Sequence, residues 1–294
     1  MNARNNLINN EVFAETSSFP YLVVDDFLPD DLVAKIDENW EVLDNYYHHF
    51  ANGGNRKSVQ FGTNKFTNLV NSNAFFCAVY KRIINIEFLS EIYQKFQPFF
   101  DKFGLKDEFR DFSNISFKDS KTDYLVTDSL FKKALIKFFI NPIVRKFGIR
   151  GVLRGLIFRW TQPGCHALLS FSKSQQGYRE APHVDARHKI FVGLIYLDDM
   201  DHEGGLNIYR NKSNDSDIKE SPMFPREDQI ELEKRVQPKR NRLVLFLNSN
   251  NAWHGTEPFK DKSRRFIYFS FGARWVESAF ETKRKVTAGD VHAN

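Results

Sequence analysis

Five short runs of branched and aromatic residues crowd the second half of this chain, and they limit its fold more than any other feature. Residues 152–161, 190–197, 206–209, 242–248 and 264–271 are rich in Val, Ile, Leu, Phe and Tyr, and Gly, Asp, Asn and Pro separate them. Such runs read as strands. Short strands joined by irregular loops indicate a sandwich or jelly roll rather than a parallel sheet with crossover helices.

The first half reads differently. Residues 21–26 form a β-branched run that predicts one strand. Pro29, Asp30 and Asp31 then supply a helix start, and Leu32, Ile36 and Trp40 share one apolar face of the helix that follows. Residues 46–65 are polar and contain Gly53, Gly54 and Gly62, so they predict a loop or irregular strand, and no chemistry is assigned there. Helical spacing returns over 73–100, with Leu89, Ile92, Tyr93 and Phe96 before Pro98, and predicts two helices. Residues 129–147 set Leu130, Phe131, Leu135, Phe138 and Phe139 beside several lysines, with a break expected at Pro142. A helix buttressing the sheet is the preferred reading over one lying on a membrane surface.

The expected fold class is therefore α+β: a double-stranded β-helix (jelly roll, cupin-like) core buttressed by N-terminal helices. One domain of residues 1–294 is expected, with a helix-rich part to 150, the core over 151–275 and a polar tail over 276–294.

Composition removes several function classes. No stretch approaches the roughly 18 to 20 unbroken apolar residues of a membrane span. The asparagine-rich start lacks the apolar stretch and cleavage site of a secretory signal, so a cytoplasmic home is expected. Cys77 and Cys165 are far apart with no CxxC spacing, which excludes a cysteine zinc site and reads as two free thiols. The net charge of +5 is spread along the chain rather than gathered in a tract, so nucleic acid is not an expected partner. Thirty phenylalanines read as a phenylalanine-rich core. No GxSxG, HExxH or P-loop is present, and Gly204-Gly205 is better read as a tight turn than as a phosphate loop.

The chemistry-bearing constellation lies in the β-rich half. In His183-Val184-Asp185 the imidazole and the carboxylate sit two positions apart, so along an extended segment both project to one side. Alone, such a triplet recurs by chance. His254, just past the strand expected at 242–248, offers a ligand from a distant strand. Two histidines and one carboxylate, without thiolate, can occupy one face of an octahedron and leave positions open, the arrangement of non-haem iron(II). Zinc or manganese would bind the same donors. Arg264 and Arg265 open the next strand, where a guanidinium can form a bidentate pair with a carboxylate.

The succession HVD (183–185), EGGLNIY (203–209), RLVLFLN (242–248), WHGTEPF (253–259) and SRRFIYFSF (263–271) resembles the 2-oxoglutarate/iron(II) oxygenases of the prolyl 4-hydroxylase-like group, and FPYLVVDDFLPDDL (19–32) resembles the opening of bacterial members. The resemblance implies that His183, Asp185 and His254 hold Fe(II), and that Arg264 binds the distal carboxylate of 2-oxoglutarate. It further implies O2 as cosubstrate, with ascorbate as an auxiliary reductant, and hydroxylation of an unactivated C–H bond with release of succinate and CO2. Arg264 is preferred over Arg265 because it stands ten residues past His254, the family's usual spacing, and shares a face with Tyr268 and Ser270. Phe266 departs from the family, where serine or threonine is common.

A small molecule, a saccharide precursor and a peptidyl residue are the substrate classes the resemblance admits, with the first two favoured. Two rival readings remain. A nucleic-acid demethylase of the AlkB type would carry a second arginine six positions after the first, where this chain has Ser270, with Arg274 as the next arginine. A jelly-roll protein that binds metal or sugar without turnover would not need both the triad and the spaced arginine.

Overall fold

The computed structural model describes residues 8, 11–16, 18–49, 55–61, 63–111, 116–117, 164–200, 203–212, 224–260, 263–273 and 278–281. The expected helix over 129–147, the expected strand over 152–161 and the tail beyond 281 lie outside them.

Two sheets carry the fold. The strands, in chain order, are β1 (Glu11–Glu15), β2 (Pro20–Val24), β3 (His48–His49), β4 (Arg56–Gln60), β5 (Ser116–Phe117), β6 (Gly164–Gln175), β7 (Glu180–His183), β8 (Lys189–Tyr196), β9 (Leu206–Asn211), β10 (Ile230–Val236), β11 (Arg242–Leu247), β12 (His254–Thr256) and β13 (Ser263–Ala273). The larger sheet runs β1-β2-β11-β8-β13-β6-β4-β3, with β5 parallel to β6 and every other pair antiparallel. The smaller sheet runs β10-β9-β12-β7 and is antiparallel throughout. From β6 onward the chain passes repeatedly from one sheet to the other. The fold is thus mixed α and β, built on antiparallel sheets.

Alternation explains how the sheets pack. On β8 and β11, Val192, Tyr196, Val244 and Phe246 face Leu206, Ile208 and Val236 of the small sheet and form an apolar layer between them. The opposite face of the large sheet presents Phe171, Phe191, Phe269 and Phe271 to the helices. Burying each such ring contributes about 1.5–3 kcal/mol. Phe171 meets Trp40, Phe66 and Phe76, while Phe191 meets Tyr93 and Phe96. The ring of Phe269 lies over Gly193, where an added Cβ would approach it to 2.1 Å. A bare backbone on β8 is what lets that ring lie flat.

The helices are α1 (Asp30–Val33), α2 (Ile36–Trp40), α3 (Asn64–Ser72), α4 (Ala74–Ile83) and α5 (Ile86–Phe96). Thr63, Asn73 and Asn85 begin the last three by accepting from the backbone N–H groups of Phe66, Phe75 and Phe88. The two helices expected over 73–100 correspond to α4 and α5. The one helix expected from residue 30 is divided into α1, α2 and a 3-10 turn at Glu41–Asn45, yet Leu32, Ile36, Trp40 and Leu43 are all buried. Arg240 donates to the Val33 carbonyl at 3.2 Å, drawing off an acceptor that a continuous helix would use.

Three strands carry polar residues. Residues 56–60, within the region read as loop or irregular strand, form β4, and β6 and β10 stand where no strand is expected from the sequence pattern. On β6 alternation outweighs polar composition: Ser170, Ser172 and Ser174 are buried on one face, while Leu169, Phe171 and Lys173 lie on the other.

Candidate active site

Strand pairing brings the distant histidine to the triplet. His254 on β12 is the register partner of His183 on β7, and their ring centroids are 4.5 Å apart. Gly255 permits this approach, because a Cβ there would stand 2.7 Å from the Glu180 carbonyl oxygen of β7. Just past the end of β7, Asp185 places Oδ2 3.8 Å from Nε2 of His254. The three residues expected to act together are thus neighbours.

Both imidazoles are oriented from behind. Nδ1 of His183 lies 2.9 Å from the Ala181 carbonyl, and Nδ1 of His254 lies 2.8 Å from the Ala252 carbonyl. An Nδ1–H donated to each carbonyl leaves Nε2 as the free lone pair, the tautomer suited to a metal ligand. Burial, with His183 adding to it, pushes the His254 imidazole down to about 4, so it is neutral near pH 7. Metal binding requires that neutral form.

Asp185 is anchored by residues that sequence reading did not single out. Lys189 donates to its Oδ1 at 2.8 Å and Tyr268 donates to Oδ2 at 3.0 Å; Lys189 also meets the Tyr268 hydroxyl at 2.5 Å. Burial opposes ionisation of the carboxyl, but Lys189 and the two histidines outweigh it and hold Asp185 well below the usual carboxylate range. Among the described residues, no three His, Cys, Asp or Glu side chains close into a finished metal cluster. The carboxylate is instead turned to Lys189 and Tyr268. In chemical type the donor set still fits a divalent iron: two imidazole nitrogens and one ionised carboxylate.

Arg264 and Arg265 part company across β13. Arg265 points to the helix side, where it meets Asp198 through Nε at 2.8 Å and Asp37 through Nη1 at 2.6 Å. Arg264 faces the layer between the sheets, is 4% exposed, and has no hydrogen-bond partner at Nε or Nη1. Tyr178, Tyr196, Phe259 and Phe266 surround its guanidinium at 5.0–5.8 Å. Cation–π attraction offsets part of its burial, but unsatisfied N–H groups of a buried cation are costly. The hydroxyl of Ser270, on the same face, is also buried and unpartnered.

Arg56 was missed. It lies on β4, where no chemistry was expected, and its guanidinium reaches Phe266 at 4.9 Å and Tyr268 at 5.9 Å. The signal was the alternation of Arg56, Ser58 and Gln60, a polar face whose last two members are buried. A cavity of about 250 Å³ opens beside the site on the small sheet, lined by Arg179, Pro182, Tyr209, Glu227, Leu232 and Pro258 among others; it includes none of His183, Asp185, His254 or Arg264. Arg274 lies outside the described residues. No described helix is long and apolar enough to cross a membrane.

Residues 169–272 match the family model described as 2OG-Fe(II) oxygenase superfamily, a little over a third of the chain. No curated protein sequence matches. Among solved structures, a prolyl 4-hydroxylase from Phytophthora capsici is similar over 92% of this chain and 64% of its own, at 14% identity and a TM-score of 0.46. The chain therefore spans less than two thirds of that protein's length. A Pseudomonas putida prolyl-4-hydroxylase is similar over 86% of this chain and 92% of its own, at 14% identity and a TM-score of 0.44. A viral collagen prolyl hydroxylase from Paramecium Bursaria Chlorella virus-1 is similar over 86% and 96%, at 11% identity and a TM-score of 0.35. At these values the structural likenesses carry no functional inference.

Proposed function

We propose that this chain, a match to the 2OG-Fe(II) oxygenase superfamily over residues 169–272, is an Fe(II)- and 2-oxoglutarate-dependent dioxygenase that hydroxylates an unactivated C–H bond of a small molecule, saccharide precursor or peptidyl residue. The observation that carries the reading is the buried guanidinium of Arg264, unpartnered at Nε and Nη1, on the strand whose Tyr268 donates to Asp185 where it meets His254. A cation so placed needs an anion, and a dicarboxylate whose other end lies at a metal supplies one.

On this reading the alternating passage between sheets from β6 to β13 is a double-stranded β-helix, and the helices buttress it within one domain. His183, Asp185 and His254 would hold the iron, which with bound 2-oxoglutarate and O2 supplies the oxidising chemistry, releasing succinate and CO2. The chain's own part is geometric and electrostatic. The Ala181 and Ala252 carbonyls fix the imidazoles, Lys189 and Tyr268 keep Asp185 ionised, and the rings around Arg264 exclude water from the cosubstrate's distal end.

The hold of Lys189 on Asp185 favours one second reading, a jelly-roll module that binds without turnover. Succinate release with Fe(II), ascorbate and 2-oxoglutarate across a substrate panel separates the two. Turnover in the wild type, abolished in His183→Ala and in Asp185→Ala, is expected; undiminished turnover in both variants overturns the oxygenase reading.

A further inference from the structure

Arg56 shares the ring of Phe266 with Arg264 and meets no carboxylate among the described residues. Its strand, β4, is separated from β13 by β6, so a side chain from β4 must cross a whole strand to touch β13. Small serines on β6 make the crossing feasible. Ser174 is the register partner of both Arg56 and Arg264, and Ser172 separates Ser58 from Phe266. Across this low ground Arg56 donates to Ser172 Oγ at 3.2 Å and lies over the rings of Phe266 and Tyr268.

The two guanidiniums flank one ring, Arg56 at 4.9 Å and Arg264 at 5.0 Å from the centre of Phe266. Their other ring contacts differ. Arg56 also lies over Tyr268, whose hydroxyl donates to Asp185, whereas Arg264 lies among Tyr178, Tyr196 and Phe259. Arg56 therefore borders both the surroundings of Arg264, on which its charge acts, and the tyrosine that donates to Asp185. Its Nε is buried without a partner. Arg110, Arg235, Arg240, Arg242 and Arg265 each meet a carboxylate, but Arg56 meets none among the described residues.

Charge complementarity then constrains the substrate. Lys189 and Asp185 neutralise one another, and the Glu180 carboxylate is engaged by the Tyr178 hydroxyl. On the oxygenase reading, on which this inference rests, 2-oxoglutarate gives its distal carboxylate to Arg264 and its near end to the metal. Arg56 is left without a counter-charge. We infer that the primary substrate carries a carboxylate, which Arg56 holds so that the neighbouring carbon lies beside His183, Asp185 and His254.

The test uses calorimetry under anaerobic conditions on the full chain loaded with Mn(II), which avoids dependence on turnover. Titration of 2-oxoglutarate comes first. With 2-oxoglutarate saturating, a panel of L-amino acids and short hydroxy acids follows, each paired with its primary amide. The expected result is a carboxylate that binds roughly tenfold or more tightly than its amide, with Arg56→Gln removing that difference and Arg56→Lys keeping part of it. Thermal unfolding of both variants checks that they fold. Three results overturn the inference while leaving the oxygenase reading standing: no carboxylate binds, Arg56→Gln leaves the carboxylate preference intact, or Arg56→Gln weakens 2-oxoglutarate itself by a similar factor. Failure of the metal-loaded wild type to bind 2-oxoglutarate overturns both.

Discussion

His254 stands opposite His183 on the neighbouring strand, their rings 4.5 Å apart, and each imidazole is fixed by the backbone carbonyl two residues before it. Strand register, rather than closeness in sequence, assembles the pair. Asp185 joins them through a different device, the charged grip of Lys189 and Tyr268.

That difference separates two alanine variants in the metal-free protein. Asp185→Ala strands the Lys189 ammonium, 15% exposed, without its counter-charge, and is expected to cost about 3–5 kcal/mol. His183→Ala, at the half-buried end of β7, is expected to cost about 1 kcal/mol. Urea unfolding of both variants checks the order, and equal losses would contradict it.

Much of this was legible beforehand. The triplet, the distant histidine and the arginine pair could be read because alternation and strand ends leave a trace in one dimension. The face of β13 chosen for Arg264 by that alternation is the one that turns away from the helices. Lys189 and Arg56 were not legible. Lys189 acts at the start of a strand whose register with β13 shifts by a bulge, and Arg56 acts across an intervening strand, so neither placement follows from local periodicity. The polar strands β6 and β10 were missed, and β4 was left between loop and irregular strand, for a related reason: their serines and charges look like loop composition until a partner strand shows which face is buried.

The two adjacent arginines should separate cleanly. Arg264→Gln removes a buried unpaired charge, so stability is expected to hold or rise while 2-oxoglutarate affinity falls roughly 10- to 100-fold. Arg265→Gln breaks the pairs with Asp198 and Asp37 and is expected to lower stability by about 1–3 kcal/mol with affinity unchanged. Thermal unfolding and a 2-oxoglutarate titration on each variant check both halves.

Gly255→Ala tests the approach of β12 to β7. Its Cβ would meet the Glu180 carbonyl at 2.7 Å, and backbone cannot swing aside as a side chain can. The strands must separate, drawing His254 from His183, and metal affinity is expected to fall by about tenfold or more with the fold retained. Equilibrium dialysis against Mn(II), with circular dichroism as the control for folding, reads the effect.

Acid should act through Asp25. Hydrogen bonds from Arg242 come first among the causes that hold its carboxyl down to about 2 from its ordinary 3.8, with Lys239 adding to them against partial burial. A carboxyl lowered in the folded state contributes stability that is present above its unfolded value and disappears as pH falls through the folded one. Loss is therefore expected between about pH 4 and pH 2, and Asp25→Asn should flatten that part of a stability profile measured by denaturant titration.

The most direct measurement is the stoichiometry of 2-oxoglutarate binding with and without metal, by calorimetry under anaerobic conditions. One 2-oxoglutarate per chain is expected when Fe(II) or Mn(II) is present, none in its absence, and none in His254→Ala with metal added. Binding of equal strength with and without metal, or in His254→Ala, would contradict a site in which His183, Asp185 and His254 hold the metal and Arg264 holds the far end of the keto acid.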